Sequence, residues 1–254
     1  MNRRKTTLFW KLKHPGSGCI SFLLGTRDRL PAEAFSRLEN RLTGLPVRKV
    51  WYLIHEFPAE TAHCRMPDGI TLDHLLSNRH FTRISAILKK TFQVDLETLN
   101  HFYPLAVRER LINQIGAQAN LTSLRDRLPQ ILPGAEPVFH SPEDSGYDAI
   151  PIPFQLRQLR ILASNPARFR LKVEKDLLER NLDDPALIRR NTRERLTGAE
   201  RKYQSARNAG AADRIIAETR ETPGLFLVDA AGLAGGKGIL HRLRAAGLQV
   251  LPIR

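Results

Sequence analysis

The sequence predicts an α/β fold in which strands from both chain ends build a central sheet and a large helical region lies between them. Three observations carry this. Residues 7–54 read as hairpin, helix and buried strand. Residues 224–253 read as strand, glycine-rich turn, helix and strand. Between them, apolar residues recur at helical spacing. The chain reads as a single domain over 1–254, with an N-terminal α/β part (1–56), a mainly helical part (57–222) and a C-terminal strand–loop–helix–strand (223–254). A chain of 254 residues fits one domain, at a loose prior of ~150 residues per domain. It can bury a core without help from disulfides or metal.

In Thr7 to Lys13, Leu8, Trp10 and Leu12 alternate with Phe9, Lys11 and Lys13, the period-two pattern of a strand. His14-Pro-Gly-Ser-Gly18 is a turn cluster, and Cys19 to Leu24 is an apolar strand that stops at Gly25. Leu30-Pro31 precedes a helix over Ala32 to Leu42, ended by Gly44 and Pro46. Arg48 to Ile54 is a continuous β-branched and aromatic run, the pattern of a buried parallel strand. Phe81, Ile84, Ile87, Leu88 and Phe92 share one helix face. Pro104 opens a helix that runs from Leu105 to Ile115. Glu136 to Phe139 is a short strand and Ser141 to Pro153 a loop. Phe154 to Thr219 is helical, with breaks at Asn165-Pro166, at Pro185 and near Gly198. Gly224 to Val228 is a buried strand, Asp229 to Gly238 a glycine-rich turn, and Ile239, Leu240 and Leu243 the buried face of a helix. Gly247 caps that helix, and Gln249 to Ile253 is the last strand.

No stretch reaches the ~18–20 apolar residues of a membrane span. Met1-Asn-Arg-Arg-Lys5 has the charge of a leader, but no apolar stretch of leader length follows. The expectation is a cytoplasmic protein, or an exported one whose leader has been removed. Two cysteines, Cys19 and Cys64, imply no disulfide framework and suit a reducing compartment. Cys19, inside a predicted strand, reads as packing rather than nucleophile. The net charge of +14 and pI near 10.4 permit a polyanionic partner. The plainer account is a solvated, arginine-rich surface, since basic and acidic residues are interleaved. The densest basic run is Arg189, Arg190, Arg193, Arg195, Arg201 and Lys202. Its one aromatic, Tyr203, is too little for a base-stacking platform.

Several segments together resemble the TraB/GumN family (Tiki-like, of the erythromycin-esterase/ChaN-like fold). Leu8-Phe-Trp-Lys-Leu12, a turn, and Phe22-Leu-Leu-Gly-Thr26 resemble its opening, where a second strand runs into Gly-Thr-x-His. Pro67 to Ser77 is similar to its Gly-x-x-Leu-x-x-Leu-Leu helix start. Arg207-Asn208, with Ala212, Arg214 and Ile215, resembles its Arg-Asn helix. That helix leads into the strand Phe226-Leu-Val228 and a loop similar to Gly-x-Gly-His-Leu-x-Gly-x-x-Gly, here Asp229 to Gly238. The resemblance spans nearly the whole chain. It implies one α/β domain in which two Gly-x-x-His motifs and an acidic residue form a metal-dependent, peptidase-like site in some members. Others are linked to plasmid pheromone shutdown or exopolysaccharide gene clusters. It also implies a pocket lined by Gly25, Thr26, Arg207, Asn208, Gly232 and Lys237; an equal alternative for the Arg-Asn pair is that Asn208 bonds backbone at a helix and Arg207 pairs with a carboxylate.

The chain departs from the family where the chemistry lies. Asp28 stands in place of the first histidine, Gly232 in place of the second, and Asp229 in place of a motif glycine. Leu53 occupies the position of the family's acid, which Glu56 replaces only under a shifted register. A catalytic site for a borderline divalent metal takes about three imidazole or carboxylate ligands plus water. Glycine supplies none, and one carboxylate makes no tight site. Without a bound cation nothing lowers the pKa of a water toward ~7. The first expectation is therefore a degenerate, non-catalytic member that acts by binding, with no cofactor. The second is a hydrolase or peptidase rebuilt on carboxylates, with Asp28 and Glu56 as catalytic groups and Asp28 and Asp229 as ligands for Mn²⁺, Mg²⁺ or Zn²⁺. The third is a nucleic-acid or polyanion binder.

Two other patterns weigh less. His55, Glu56, Glu60, His63 and Cys64 cluster after a strand, but only one helical i, i+3 ligand pair is present, so a polar loop is the simpler account. Gly232 to Gly238 suggests a phosphate loop, yet Ala231 replaces the first glycine and Gly238 the Ser/Thr that would hold Mg²⁺. Anion binding at the following helix start, helped by Lys237, is the residual expectation. No Gly-x-Ser-x-Gly elbow is present.

Overall fold

Alternating apolar side chains on a six-stranded sheet create two separate cores, one on each face. The structure, a computed structural model, describes residues 7–26, 29–54, 64–119, 121–139, 147, 150–178 and 198–253. Along the chain run β1 (Phe9–Lys13), β2 (Ile20–Thr26), β3 (Arg29–Leu30), α1 (Ala32–Leu42), β4 (Lys49–Tyr52), α2 (Leu72–Leu75), α3 (Asn78–Phe92) and α4 (Pro104–Gln118). There follow β5 (Thr122–Ser123), α5 (Leu124–Ile131), β6 (Glu136–Phe139), α6 (Ile152–Ser164) and α7 (Pro166–Leu178). The last elements are α8 (Gly198–Glu221), β7 (Gly224–Asp229), α9 (Ile239–Ala245) and β8 (Gln249–Pro252). The predicted α/β class is what the chain adopts. Among the described residues no helix is long and apolar enough to cross a membrane.

The chain divides into two compact units, one of residues 1–55, 122–144 and 180–254, the other of 56–121 and 145–179. The first unit holds the sheet, in the order β6-β4-β7-β2-β1-β8. The expected hairpin of β1 and β2 forms, with Trp10 opposite Leu23. β7 inserts in parallel between β2 and β4, and β8 pairs with β1, so strands from both chain ends do share one sheet. Residues 122–139 lie inside the stretch read as helical middle, yet β6 joins the sheet beside β4. Pro137 and Pro252 sit on the two edge strands, where a missing N–H blunts pairing with other chains. Cys19 lies just ahead of β2 and is half-buried, rather than inside a buried strand.

Period two decides which core each strand residue enters. Leu8, Trp10, Leu12, Leu23, Trp51, Phe226 and Val228 face Ala212 and Ile215 of α8 and Ile239, Leu240 and Leu243 of α9. Phe9, Phe22, Leu24, Val50, Tyr52, Leu225 and Leu227 face Phe35, Leu38 and Leu42 of α1 and Leu124 and Leu128 of α5. Each fully buried Leu or Phe contributes about 1.5–3 kcal/mol. Trp51 stacks on Phe226 at 6.2 Å, and the Arg214 guanidinium lies 4.7 Å from the Trp51 ring centroid, so the indole is covered on the α8 side by a cation–π contact.

The second unit is helical. Ile84, Leu88 and Phe92 of α3 are buried, as the spacing predicts, and Pro104 opens α4. The helix break at Asn165-Pro166 separates α6 from α7. Gln155 is a fully buried polar residue inside α6. Its amide donates to the carbonyls of Tyr147 (2.7 Å) and Ile150 (2.8 Å), and its oxygen accepts from the Leu105 N–H (3.4 Å). At the start of α2, Asp73 and Asn100 bond each other reciprocally. The Asp73 N–H donates to Asn100 Oδ1, and Asn100 Nδ2 donates to Asp73 Oδ1 at 2.8 Å.

Replacing Gln155 with Leu takes the amide donor from the Ile150 carbonyl and the acceptor from the Leu105 N–H, while the Tyr147 carbonyl keeps the Ile150 N–H. The unfolding free energy from urea titration should fall by about 1–3 kcal/mol. The Thr71 hydroxyl, then the Asn100 amide, hold the Asp73 carboxyl below its ordinary range. Its folded pKa is depressed, so its contribution is full above the unfolded value and is lost as pH falls through the folded one. Urea midpoints of the wild type and Asp73→Asn should differ at neutral pH and converge in acid; a gap independent of pH would disprove the assignment.

Candidate functional site

Four neighbouring strands, β6, β4, β7 and β2, run parallel. In open α/β sheets the loops beyond the carboxyl ends of such strands gather side chains from distant parts of the chain, and sites form there. Here that edge carries Thr26 at the end of β2 directly opposite Asp229 at the end of β7, with Leu53 one residue beyond β4. Thr26 is buried, and Asp229 is half-buried. The Leu53 N–H donates to the Leu227 carbonyl, and its side chain packs in the core shared with α8 and α9. The position that the family resemblance assigns to an acid is thus an apolar core position.

The loop that follows β7 is bonded to itself and to α8. The Asp229 carboxylate accepts from the Ala231 N–H at 2.9 Å, capping a 3-10 turn over Ala230–Gly232. Three further loop amides meet the loop's own carbonyls: Leu233 N–H to Ala230, Gly238 N–H to Gly235 and Leu240 N–H to Leu233. These amides are engaged and do not form an open phosphate cradle. The helix after them, α9, is only seven residues long.

Asn208 is the buckle between loop and helix. It is buried on α8, and its amide donates to the Lys237 carbonyl at 3.2 Å. A Cβ built on Gly232 would lie 2.5 Å from Asn208 Oδ1, far inside contact distance, so the glycine is what lets the loop meet this side chain. One turn earlier, Gln204 Nε2 donates to the Ala231 carbonyl at 3.4 Å. From α9, Arg242 reaches back to the Ser205 hydroxyl at 3.3 Å and to the Lys237 carbonyl. Gly25 is a second close approach, since a Cβ there would collide with the Leu233 side chain. The arrangement is a packed strand–loop–helix junction held by at least four polar contacts. The sequence reading found Asn208 through its resemblance. It missed Gln204 and the Ser205–Arg242 pair, which no local motif marks.

Of the site residues expected from sequence, the structure brings Gly25, Thr26, Asn208, Asp229, Gly232 and Lys237 into this junction. Arg207 is half-buried on α8 beside Asn208, and Lys237 projects to solvent while its carbonyl serves the buckle. Asp28 and Glu56, with His55, Glu60 and His63, lie outside the described residues, as do Arg189, Arg190, Arg193 and Arg195 of the densest basic run. Among the expected ligands that are described, Asp229 is the one with a carboxylate, and Gly232 offers no side-chain atom.

Comparison with protein-family models, with curated proteins and with solved structures finds no match for this chain.

Gly232→Ala should lower stability by roughly 1–3 kcal/mol through overpacking against Asn208. In a double-mutant cycle with Asn208→Ala, which vacates the space, the two losses should be markedly less than additive. Full additivity by urea denaturation would place the clash elsewhere.

Proposed function

We propose that the chain is a divergent TraB/GumN-like protein that acts by binding at the carboxyl edge of its sheet rather than by metal-dependent hydrolysis. The observation that carries this reading is the packing at Gly232. The family resemblance assigns an imidazole to that position, yet here the space of a side chain is filled by Asn208 Oδ1. Histidine cannot enter without displacing the buckle between loop and α8. The neighbouring Asp229 supports the same view, because one of its carboxylate oxygens caps the 3-10 turn. A divalent metal at such an edge would take at least three ligands, with imidazole or carboxylate groups supplying them. Activation of water toward hydroxide depends on that ligand set.

A second reading is favoured by strand register. Thr26 pairs with Asp229, which sets the ends of β2 and β7 side by side. A site rebuilt on Asp28, Asp229 and Glu56 would suit a hard cation such as Mg²⁺ or Mn²⁺ better than Zn²⁺.

Titration calorimetry of the metal-stripped protein with Mn²⁺, Zn²⁺ and Mg²⁺, beside thermal melts, separates the two. The binding reading expects no tight site and no shift of the melting temperature, since a ligand that binds only the folded state must raise it. One tight site lost in Asp28→Ala or Asp229→Ala would overturn it in favour of the carboxylate-rebuilt hydrolase.

A further inference from the structure

The chain's positive charge is concentrated in three helices of the second unit. α3, α6 and α7 together carry ten Lys and Arg against two acids, Glu174 and Asp176. That excess of eight positive charges is more than half of the net +14 of the whole chain. The three helices pack on one another. Phe92 at the end of α3 meets Phe169 of α7 edge-on at 6.2 Å, so the lysine-bearing end of α3 lies against the Arg168–Lys172 turn of α7.

α3 is the sharpest part of this surface. Its fifteen residues contain no acid. Ile84, Leu88 and Phe92 face inward, while Arg79, Thr82, Arg83, Ala86, Lys89, Lys90 and Gln93 are exposed along the opposite side. Arg79 and Arg83 stand one turn apart, a repulsive like-charge pair. They also sit near the positive end of the helix dipole, with no carboxylate in the first turn. Folding alone would favour an acid at this end. Arg157 and Arg160 of α6 and Arg168 and Lys172 of α7 are exposed as well.

The partner class follows from what accompanies these charges. The exposed side of α3 holds nothing more apolar than Ala86. The exposed large aliphatics of α6 and α7 are Ile161 and Leu171, one per helix and each next to a cation. This is less than the apolar stripe with which an interfacial helix inserts among lipids. Phe81, Phe154 and Phe169 are all partly buried, so the surface offers no exposed aromatic platform for unstacked bases. A mainly polar face with a cation at nearly every turn of α3 matches regularly spaced phosphates that need no base contact. We infer that the α3–α6–α7 face binds double-stranded nucleic acid through its phosphate backbone, without sequence preference. This surface is made of residues other than those of the sheet's carboxyl edge.

The test is fluorescence anisotropy of the full chain with a short labelled DNA duplex across a salt series, beside sedimentation with phosphatidylserine-containing vesicles. The triple variant R79E/R83E/K90E removes the face. The exposed sheet-unit positions changed in K13E/R220E serve as control, and thermal melts check folding of each protein. If the triple variant melts early, the neutralising set R79Q/R83Q/K90Q replaces it. The expected result is duplex affinity falling roughly 10²-fold between low and physiological salt, as for about four phosphate contacts. Affinity should also drop about 10-fold or more in the face variant and change little in the control. Absence of duplex binding at low salt would overturn the inference. So would equal losses in both variants, which would mean diffuse charge, or binding to vesicles without binding to duplex, which would mean a membrane partner.

Discussion

The parallel pairing of β2 with β7 is the constraint on which the rest of the sheet-bearing unit depends. Phe22 to Thr26 lie beside Leu225 to Asp229, about two hundred residues away along the chain. Closing so long a loop is entropically unfavourable, and the cost is met by burying nearly all of both strands. Because side chains alternate, this one register sends Phe226 and Val228 toward α8 and α9, and Leu225 and Leu227 toward α1. A slip of one residue would exchange the two cores. The same register places Thr26 opposite Asp229 and so defines the carboxyl edge.

At that edge, chemistry and packing compete for the same positions. A metallohydrolase needs side chains that project ligands into a shared space. Here the loop after β7 turns inward instead. Asp229 caps it, Gly232 admits Asn208, and Gln204 and Arg242 bond it to α8. Gly232, one of the glycines that make the segment look like a flexible phosphate loop, has a different use, which it shares with Gly25 of β2. Gly25 and Gly232 are sites of close approach, where any side chain would meet Leu233 or Asn208. The binding reading rests on this exchange of ligand positions for packing positions.

The charge has its own logic. Basic residues interleaved with acids along a sequence suggest a solvated surface, and much of this chain fits that description. Sequence density pointed to Arg189 to Lys202. Burial shows another grouping, in which α3 buries its apolar face and leaves an acid-free row of arginine and lysine outside. A count of acids helix by helix, rather than of bases along the chain, would have found it.

The sequence by itself did not determine the small β3–β5 pair or the bounds of α5, but it did determine the six strands of the main sheet, the hairpin and the limits of several helices. Local physics decides these: β-branched runs, period-two alternation, and Pro or Gly at element ends, as at Pro31, Pro104 and Asn165-Pro166. It also told which ligands the family resemblance would require and that Gly232 cannot supply one. Tertiary structure alone decided that β7 lies between β2 and β4, that β6 joins the sheet from within a helical stretch, and that Asn208 fastens the loop after β7. Those outcomes depend on pairings between residues far apart in the chain, whose energies come from shared burial and matched hydrogen bonds. No window of neighbouring residues contains them.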